Sequence, residues 1–546
     1  MCAKTPLTVP IPSRSFYLNI LAVTTSLWIG ACVTNTSPHH GPVHALLLLV
    51  LTLASIMMDG RIAQAFGTRF SARQSESQGI IEGALALPWF FSGMKLLDSN
   101  GPSKLQFHES ILASSTLLAS LANIATREAS RGSYEMLNCE TGGATPLAQQ
   151  KKHSTARVLT LLASCLILVL SLMEIRSFGV FLETALLTGS SMGVYFLVMY
   201  AFPSTFTVGE GWIISQGATL LFLKSVPLAV AEILTDKEIL GGDAFWSEGT
   251  TIKVENARNW SVLILAFSLT FIPPLSFASR CLFSTKTPSA GVRVCLGVAA
   301  IAWGGCGLVL SLAGAFRVLQ FVFRDYWRIG MVVGWMLLVV LGAGVARSMR
   351  DRVPNIILRK WFHFLAVVLF LPGHMLQPEL LEIALACAFA AFLAVEGVRF
   401  GGVPVLGSVI HNFLTSFTDE RDSGSLIWTH FSLLLGMAVP IWVFPPSAPA
   451  ALSGVVVLGI GDSAAAIIGS RFGKIRMHSD GDKTMEGTLA NFIFCLLAWS
   501  GLIWKYGGVS LSSFFAPTLS AAIYEASSSQ LDNMFVPLYY SALLLI

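Results

Sequence analysis

Residues 459–488 read GIGDSAAAIIGSRFGKIRMHSDGDKTMEGT, and the rest of the chain is best interpreted outward from them. The stretch begins inside an apolar run but carries an aspartate, Asp462, between a glycine and a serine. Burying an ionised carboxylate among apolar residues is expensive, so an acid in a membrane segment is a candidate functional residue. The glycines that follow allow a ligand to approach the backbone closely, and the lysines and arginines supply charge for phosphate. The stretch therefore predicts a membrane-embedded site for a nucleotide and its phosphates.

The composition places this site in a membrane protein. Of the 546 residues, 54% are hydrophobic and 12% are charged, and the mean hydropathy is +0.69. A soluble domain carries roughly 25% charged residues. The net charge of +4 is too small to indicate nucleic-acid binding, and the nine cysteines lack metal-ligand spacing.

We predict an all-α fold, a polytopic integral membrane helix bundle with about 15 transmembrane spans. The predicted spans are 16–34, 43–58, 80–97, 111–125, 158–175, 178–202, 213–233, 260–278, 294–315, 329–346, 361–371, 380–398, 427–444, 452–469 and 489–504, with two weaker segments at 514–526 and 534–546. Composition divides the chain near residue 346. Residues 1–346 are predicted to form an N-terminal multi-span membrane region, and residues 347–546 hold nearly every cluster of charged residues.

The loops orient the spans. Arginines and lysines cluster in the loops 59–79, 126–157, 279–293 and 347–360, which share a side if every span crosses. Cytosolic loops carry an excess of such residues, so this side is predicted to be cytosolic. The loop that holds Arg317, Arg324 and Arg328 is one exception. The same alternation places the polar loops 399–426 and 470–488 together on the cytosolic face, which predicts a single shared site.

Two polar clusters precede the central stretch. Residues 359–363 (RKWFH) place Arg359 and His363 one helical turn apart, where both could face one phosphate, although an ordinary basic flank of a span explains them too. Residues 418–424 (TDERDSG) are rich in carboxylates, which suit Mg²⁺, although a solvated loop remains an alternative. The residues before them, 405–417, are predicted to form a short amphipathic helix along the membrane interface.

The central stretch has the groups that phosphoryl transfer requires. Asp462 would hold a metal, and Arg471, Lys474 and Lys483 would clamp phosphates. The chain has neither a GxxxxGK[ST] loop nor the protein-kinase motifs, which excludes both of those classes. The alternative is glycine-mediated helix packing beside an incidental basic loop. Further acids near the C-terminus, at Glu525 and Asp532, are explained by structural capping as well as by catalysis.

In this order, the motifs resemble those of the dolichol kinases, a family of polyprenol kinases related to phytol kinases and CDP-diacylglycerol synthases. The resemblance covers residues 359–533, and the N-terminal half is similar only in having many apolar spans. The matching residues are Arg359-Lys360-x-Phe362-His363, Asp419-Glu420-Arg421-Asp422-Ser423-Gly424, Thr429-His430, Gly436-Met437-x-x-Pro440-Ile441-Trp442, Gly459-x-Gly461-Asp462-Ser463-x-Ala465, Lys483-Thr484-x-Glu486-Gly487-Thr488, Glu525 and Gln530-x-Asp532-Asn533.

The resemblance implies transfer of the γ-phosphate of CTP to the terminal hydroxyl of dolichol, with Mg²⁺ or another divalent cation. The product, dolichyl phosphate, would serve protein N-glycosylation and other dolichol-dependent glycosylation. It further implies a multi-pass protein of the endoplasmic reticulum membrane whose active site faces the cytosol, with residues 347–546 as the CTP-dependent kinase region and CTP bound along residues 459–474. Its partners would be dolichol, CTP and the bilayer; the oligomeric state is left open. One departure is Asp482, where the family usually has a second basic residue before the lysine.

Roles follow from the resemblance as hypotheses. Carboxylates would hold the metal, cations would neutralise charge on the phosphates, and Asp422 or His430 would orient or deprotonate the acceptor hydroxyl. The predicted catalytic residues are Asp462, Asp422, Lys483 and His430; the predicted metal ligands are Asp462, Glu420 and Asp422; the predicted nucleotide-binding residues are Gly459, Gly461, Asp462, Ser463, Gly469, Arg471, Gly473, Lys474, Lys483, Thr484, Glu486 and Gly487.

Three other functions are alternatives to a lipid kinase. A related cytidylyltransferase would attach CMP to a lipid and release pyrophosphate instead of CDP. A transporter would also carry intramembrane acids, but this chain lacks inverted repeats and its charges cluster on one face. An inactive scaffold would have no need of the C-terminal acids and lysines.

Overall fold

The computed structural model shows an all-α protein. It describes residues 13–36, 41–69, 72–73, 78–97, 110–122, 158–159, 162–169, 171, 178–235, 255–283, 294, 297–301, 304, 317–350, 352–415, 418, 422, 424–479, 481–507 and 509–545. In these residues the regular elements are helices, and an isolated bridge pairs Arg476 with Thr484. The predicted fold class is therefore confirmed.

We number the longer helices in chain order. They are α1 (Arg14–Thr36), α2 (Gly41–Arg69), α3 (Ile80–Leu97), α4 (Ser110–Ala122), α5 (Phe178–Ala201), α6 (Val208–Thr235), α7 (Glu255–Phe283), α8 (Tyr326–Met349), α9 (Asn355–Leu376), α10 (Pro378–Phe400), α11 (Leu406–Leu414), α12 (Thr429–Val443), α13 (Ser463–Phe472), α14 (Met485–Leu502), α15 (Phe515–Ser527) and α16 (Asp532–Leu544). A π-helical segment, Val455–Asp462, leads directly into α13.

The helices are those of a multi-pass membrane protein. Within the described residues, nine are long and apolar enough to cross a membrane, and three further apolar helices are shorter. α8 leaves Met336 and Val340 exposed, as expected for a helix that faces hydrocarbon. The predicted number of spans stays a prediction, because the predicted spans 158–175 and 294–315 lie partly outside the described residues.

Two predicted spans differ from the helices observed. The short segment 361–371 is the centre of α9, which has 22 residues. Hydropathy underestimates this helix because its first turns contain Lys360 and His363, whose polar side chains point into the protein. The predicted span 452–469 contains the π-helical segment and most of α13, a change of helix type that apolar composition does not reveal.

The apolar core joins the two ends of the chain. One cluster of buried side chains includes Leu18 of α1, Trp89 of α3 and Phe535 of α16. The rings of Trp89 and Tyr539 meet edge to face with their centroids 5.3 Å apart, a contact worth about 0.5–1.5 kcal/mol beyond burial. The predicted boundary near residue 346 stays a prediction based on composition, and packing continues across it.

α12 and α16 approach most closely at Gly436. A Cβ added to Gly436 would lie 1.8 Å from the carbonyl oxygen of Asn533, a backbone atom that cannot rotate away. This contact matters for the site described below, because Asn533 begins α16 beside Asp532.

Gly436→Ala is therefore expected to destabilise the protein by about 1–3 kcal/mol through overpacking. Gly334→Ala is the matched control, since Gly334 also lies in a helix (α8) but an added Cβ would meet nothing within 4 Å. The measurement is the unfolding temperature of each purified, detergent-solubilised variant. Equal unfolding temperatures for the two variants would contradict the close contact.

Candidate active site

Asp462 is buried at the end of the π-helical segment, where α13 begins. π-helical turns are rare and are often found at functional sites. The Nζ of Lys360 donates a hydrogen bond to Oδ2 of Asp462, and the Nε2 of His363 lies 3.3 Å from the same oxygen. These two neighbours, three residues apart on α9, provide the buried carboxylate with partners that it would otherwise lack.

His363 links Asp462 to the last helix. Its Nδ1 lies 3.1 Å from the carbonyl oxygen of Arg359, one turn earlier on α9, which fixes the ring plane. Its Nε2 lies 3.4 Å from Oδ1 of Asn533 as well as near Asp462. The RKWFH motif thus reaches both the π-helical segment and α16.

Lys483 enters the same place from the hairpin between α13 and α14. The hairpin closes through hydrogen bonds from Met477 N to the Lys483 carbonyl (2.9 Å) and from Met485 N to the Ile475 carbonyl (2.8 Å). The Nζ of Lys483 donates to Oε1 of Glu525 near the end of α15 and lies 3.7 Å from Oδ2 of Asp532 at the start of α16.

These acids determine how strongly Lys483 holds its proton. Burial by itself would lower the pKa of the Lys483 ammonium, but the carboxylates of Glu525, Asp532 and Asp462 raise it above its ordinary value. Lys483 is therefore a permanent cation, suited to bind a phosphate and unsuited to act as a base.

Three carboxylates meet at this point. One oxygen each from Asp462, Glu525 and Asp532 lies within 4.8 Å of the others, the arrangement of a candidate metal site. With the ammonium groups of Lys360 and Lys483, these groups carry a formal charge of −1. Oxygen donors of this kind suit Mg²⁺, which is usually held by one or two carboxylates together with substrate phosphates.

Ser463 gives a second indication that a ligand belongs here. Its Oγ is shielded from water and has no hydrogen-bond partner among the described residues, although it directly follows Asp462. Buried polar atoms are normally paired, so an orphan hydroxyl beside a carboxylate cluster fits a site that is completed by a ligand. The residues present therefore fit a divalent cation and its phosphate ligands.

Asp422 lies at the N-terminus of α12. Its Oδ1 accepts hydrogen bonds from Trp428 N (3.0 Å) and Thr429 N (3.1 Å), and its Oδ2 accepts one from the Thr429 hydroxyl (2.5 Å). This is helix capping, which satisfies backbone groups that the helix leaves unpaired. Asp422 is not a member of the three-carboxylate cluster. Its assignment as a metal ligand stays a prediction, and Glu420 lies outside the described residues.

His430 occupies the first turn of α12. Asp422 and Arg359 are near enough for their charges to act on its ring. The shared cytosolic side of the loop before α12 and the hairpin before α14 stays a prediction. The catalytic role of His430 stays a prediction.

The predicted nucleotide-binding glycines pack closely against protein atoms. A Cβ added to Gly461 would lie 2.4 Å from Asn491 Oδ1, and one added to Gly473 would lie 2.4 Å from the Gly469 carbonyl oxygen. Gly459 faces Val367 in the same way, and Gly487 faces the carbonyl oxygen of Ala465. These contacts explain the glycines by close helix packing, and their role in nucleotide binding stays a prediction.

The remaining predicted nucleotide-binding residues surround the hairpin. Thr484 caps α14 by accepting from Gly487 N (3.2 Å), and Glu486 accepts from the backbone amides of Lys474 (3.0 Å) and Ile475 (3.2 Å). The side chains of Arg471 and Lys474 are exposed, and Asp482 forms a loose, exposed pair with Arg476 at 3.8 Å. Thr484 and Glu486 therefore shape the hairpin, while the exposed cations remain available to phosphates.

Five residues that meet around Asp462 are absent from the predicted site residues, although they belong to the motifs that resemble the family. They are Lys360, His363, Glu525, Asp532 and Asn533. A usable signal existed for Glu525, which is an acid within an otherwise apolar helix. The meeting of α9, α15 and α16 around Asp462 is tertiary, and a single sequence does not reveal it.

Comparison with known proteins identifies relatives of this chain. The family model described as dolichol kinase matches residues 178–476. Dolichol kinase EVAN of Arabidopsis thaliana is 38% identical over 244 residues, and dolichol kinase of Mus musculus is 30% identical over 374 residues. The aligned parts cover 42% and 64% of this chain, and 42% and 67% of those two relatives. No solved structure matches.

The ion cluster leads to a test of stability. Lys483→Met leaves Glu525 and Asp532 facing each other without their shared cation. We expect a loss smaller than the about 3–5 kcal/mol seen when a fully buried pair is broken, because Lys483 keeps some contact with water. Mg²⁺ is expected to raise the unfolding temperature of this variant more than that of the unsubstituted protein, because the metal replaces the missing charge.

Thermal unfolding of the detergent-solubilised protein, with EDTA or with Mg²⁺, measures both effects. Lys474→Met is the matched control, since it removes an exposed ammonium from the same hairpin. A Lys483→Met variant as stable as Lys474→Met, in EDTA and in Mg²⁺, would show that the three acids are not held together by Lys483.

Proposed function

The chain belongs to the dolichol kinase family, and we propose that it transfers the γ-phosphate of CTP to the terminal hydroxyl of dolichol at the cytosolic face of the endoplasmic reticulum membrane. The observation that carries this proposal is the meeting of two lysines, a histidine and three carboxylates inside an apolar bundle. Phosphoryl transfer is catalysed mainly by positioning and by charge stabilisation, and these are the groups that provide both.

The substrates explain why such a site lies in a membrane. Dolichol is too long and apolar to leave the bilayer, and CTP is too highly charged to enter hydrocarbon. The reacting groups can therefore meet only where a polar cluster opens from a helix bundle toward water. The exposed cations of the 473–484 hairpin would receive the triphosphate, and the helices would present the lipid alcohol.

The residues divide the work of the reaction between them. Asp462, Glu525 and Asp532 would hold a divalent cation, which when bound supplies positive charge to the phosphate oxygens. Lys483 and Lys360, which pair with these acids, would supply further positive charge to the phosphates. Each group is held by a separate helix or hairpin, so the site is formed only when the C-terminal helices are packed.

The acceptor hydroxyl needs a group that orients it and takes its proton. Of the two predicted candidates, we favour His430, because both oxygens of Asp422 already accept hydrogen bonds that cap α12. Asp422 would then act on His430 through its charge and set the direction of α12.

The proposed reaction is tested with purified protein, dolichol, Mg²⁺ and CTP labelled on either the α- or the γ-phosphate. Label from the γ-phosphate is expected in dolichyl phosphate, and label from the α-phosphate is expected in CDP. Transfer of the α-label to lipid, with release of pyrophosphate, would instead identify a cytidylyltransferase. Absence of γ-labelled lipid would overturn the proposed kinase activity.

Asp462→Asn is expected to lower the rate about a hundredfold or more, because it removes one charge from the centre of the cluster. Asp325→Asn is the matched control: Asp325 caps α8 by accepting from Trp327 N (2.9 Å), and an asparagine can preserve that bond. The metal assignment fails if Asp462→Asn keeps the control's rate.

The two possible sets of metal ligands are separated by their Mg²⁺ requirement. Glu525→Gln and Asp532→Asn are expected to raise the Mg²⁺ concentration for half-maximal rate about tenfold or more. Asp422→Asn is expected to leave that concentration unchanged, because Asp422 belongs to the cap of α12. The reverse pattern would favour the ligand set predicted from sequence.

A further inference from the structure

The turn that carries Asp532 into the site is held by the N-terminal region. Residues 528–531 connect α15, which bears Glu525, to α16, which begins with Asp532. The backbone amide of Leu531 donates to Oε1 of Glu210 at 3.2 Å, and the hydroxyl of Thr207 donates to Oε1 of Gln530 at 2.5 Å. The residue just before the proposed metal ligand is thus bonded to the first turn of α6, more than 300 positions earlier in the chain.

Glu210 is in turn held by its own partners. Nη2 of Arg73 lies 2.5 Å from its Oε1, and the amide of Thr207 donates to its Oε2 at 3.0 Å. Arg73 and Glu210 are both almost completely buried. The amide of Arg73 also donates to the Phe206 carbonyl at 2.9 Å, so the two segments are joined through backbone as well as side chains.

The backbone around this pair leaves no room for adjustment. A Cβ added to Gly209 would lie 1.9 Å from the carbonyl oxygen of Gly79, and one added to Gly79 would lie 2.4 Å from the side chain of Gln530. Gly79 also has φ +69°, a conformation that favours glycine. The starts of α3 and α6 therefore press directly against the 528–531 turn.

We infer that the buried Arg73–Glu210 pair positions Asp532 for metal binding, so that the N-terminal helices set the metal affinity of the C-terminal site. This inference rests on the proposed function, in which Asp532 is a metal ligand. A buried ion pair is weak evidence for stability, because desolvation offsets its attraction. An orienting role fits its geometry better, because a single Glu210 oxygen contacts both the arginine and the amide next to Asp532.

Three substitutions distinguish a role in positioning Asp532 from a role in stabilising the fold. Glu210→Leu removes both contacts, whereas Glu210→Gln keeps an oxygen that can accept from the Leu531 amide. Thr207→Val removes the bond to Gln530 and the bond that the Thr207 hydroxyl accepts from the Glu210 amide (3.3 Å), but it keeps the side chains of Arg73 and Glu210. It remains informative if Glu210→Leu does not fold. The control is Ser26→Ala, which breaks a buried network between Thr52 (2.8 Å) and Trp89 (2.9 Å) that does not touch the turn.

Metal binding is measured directly, without turnover, by electron paramagnetic resonance of free Mn²⁺ during titration of the purified full-length protein. The Mn²⁺ dissociation constant is expected to rise about tenfold or more in Glu210→Leu, the size of effect seen when groups that orient metal ligands are removed. A smaller rise is expected in Glu210→Gln and in Thr207→Val, and none in Ser26→Ala. The Mg²⁺ requirement of the reaction should rise in the same order.

A parallel Mn²⁺ titration of Asp532→Asn distinguishes failure of the positioning role from failure of the proposed metal site. If Asp532→Asn weakens Mn²⁺ binding but folded Glu210→Gln and Thr207→Val bind as tightly as the unsubstituted protein, the positioning role is overturned and the metal site stands. If Asp532→Asn also binds normally, Asp532 is not a ligand, and both the metal site and the role of Arg73–Glu210 are overturned. A loss of unfolding temperature with unchanged Mn²⁺ affinity marks a purely structural pair.

Discussion

The carboxylate of Asp462 lies inside an apolar bundle, and the C-terminal helices provide it with charged and polar partners. An unpaired buried charge is too costly for a domain whose net stability is only several kcal/mol. Lys360 and His363 meet this need from α9, which must therefore stand directly beside the π-helical segment. Gly459 permits that approach, since a Cβ there would lie 2.2 Å from Val367. Charge pairing thus dictates helix packing.

The other buried acid of the site is also paired with a base from a different element. Glu525 is buried near the end of α15 and is balanced by Lys483, which a hairpin carries in from outside the helices. The hairpin is attached by Thr484 and Glu486, so residues 483–487 both supply the cation and anchor it. Because acids and bases come from different helices, each ion pair depends on the packing of neighbouring elements. This interdependence makes the site rigid in the way that phosphoryl transfer requires.

The sequence predicted what depends on composition and on local pattern. Long apolar runs predicted the all-α membrane fold, and an acid in such a run identified Asp462. The acids around Asp422 predicted a metal site, and the structure adds that Asp422 caps α12, so its role as a ligand stays a prediction. Glu525 and Asp532 were not assigned to the site, because their meeting with Asp462 joins two consecutive helices, α15 and α16, to a segment more than 60 residues earlier. The pairing of Arg73 with Glu210 left no local pattern at all.

The N-terminal helices acquire a role from the same physics. In the proposed mechanism Asp532 binds a metal, and a metal ligand needs a backbone that is held in place. The turn before Asp532 has four residues, 528–531, and bonds to the N-terminal region add to its own. Glu210 constrains this turn from α6, and Arg73 holds the Glu210 side chain beside it. We therefore infer a role for the apolar first half of the chain beyond anchoring in lipid. Its buried Arg73–Glu210 pair contacts the turn that precedes Asp532.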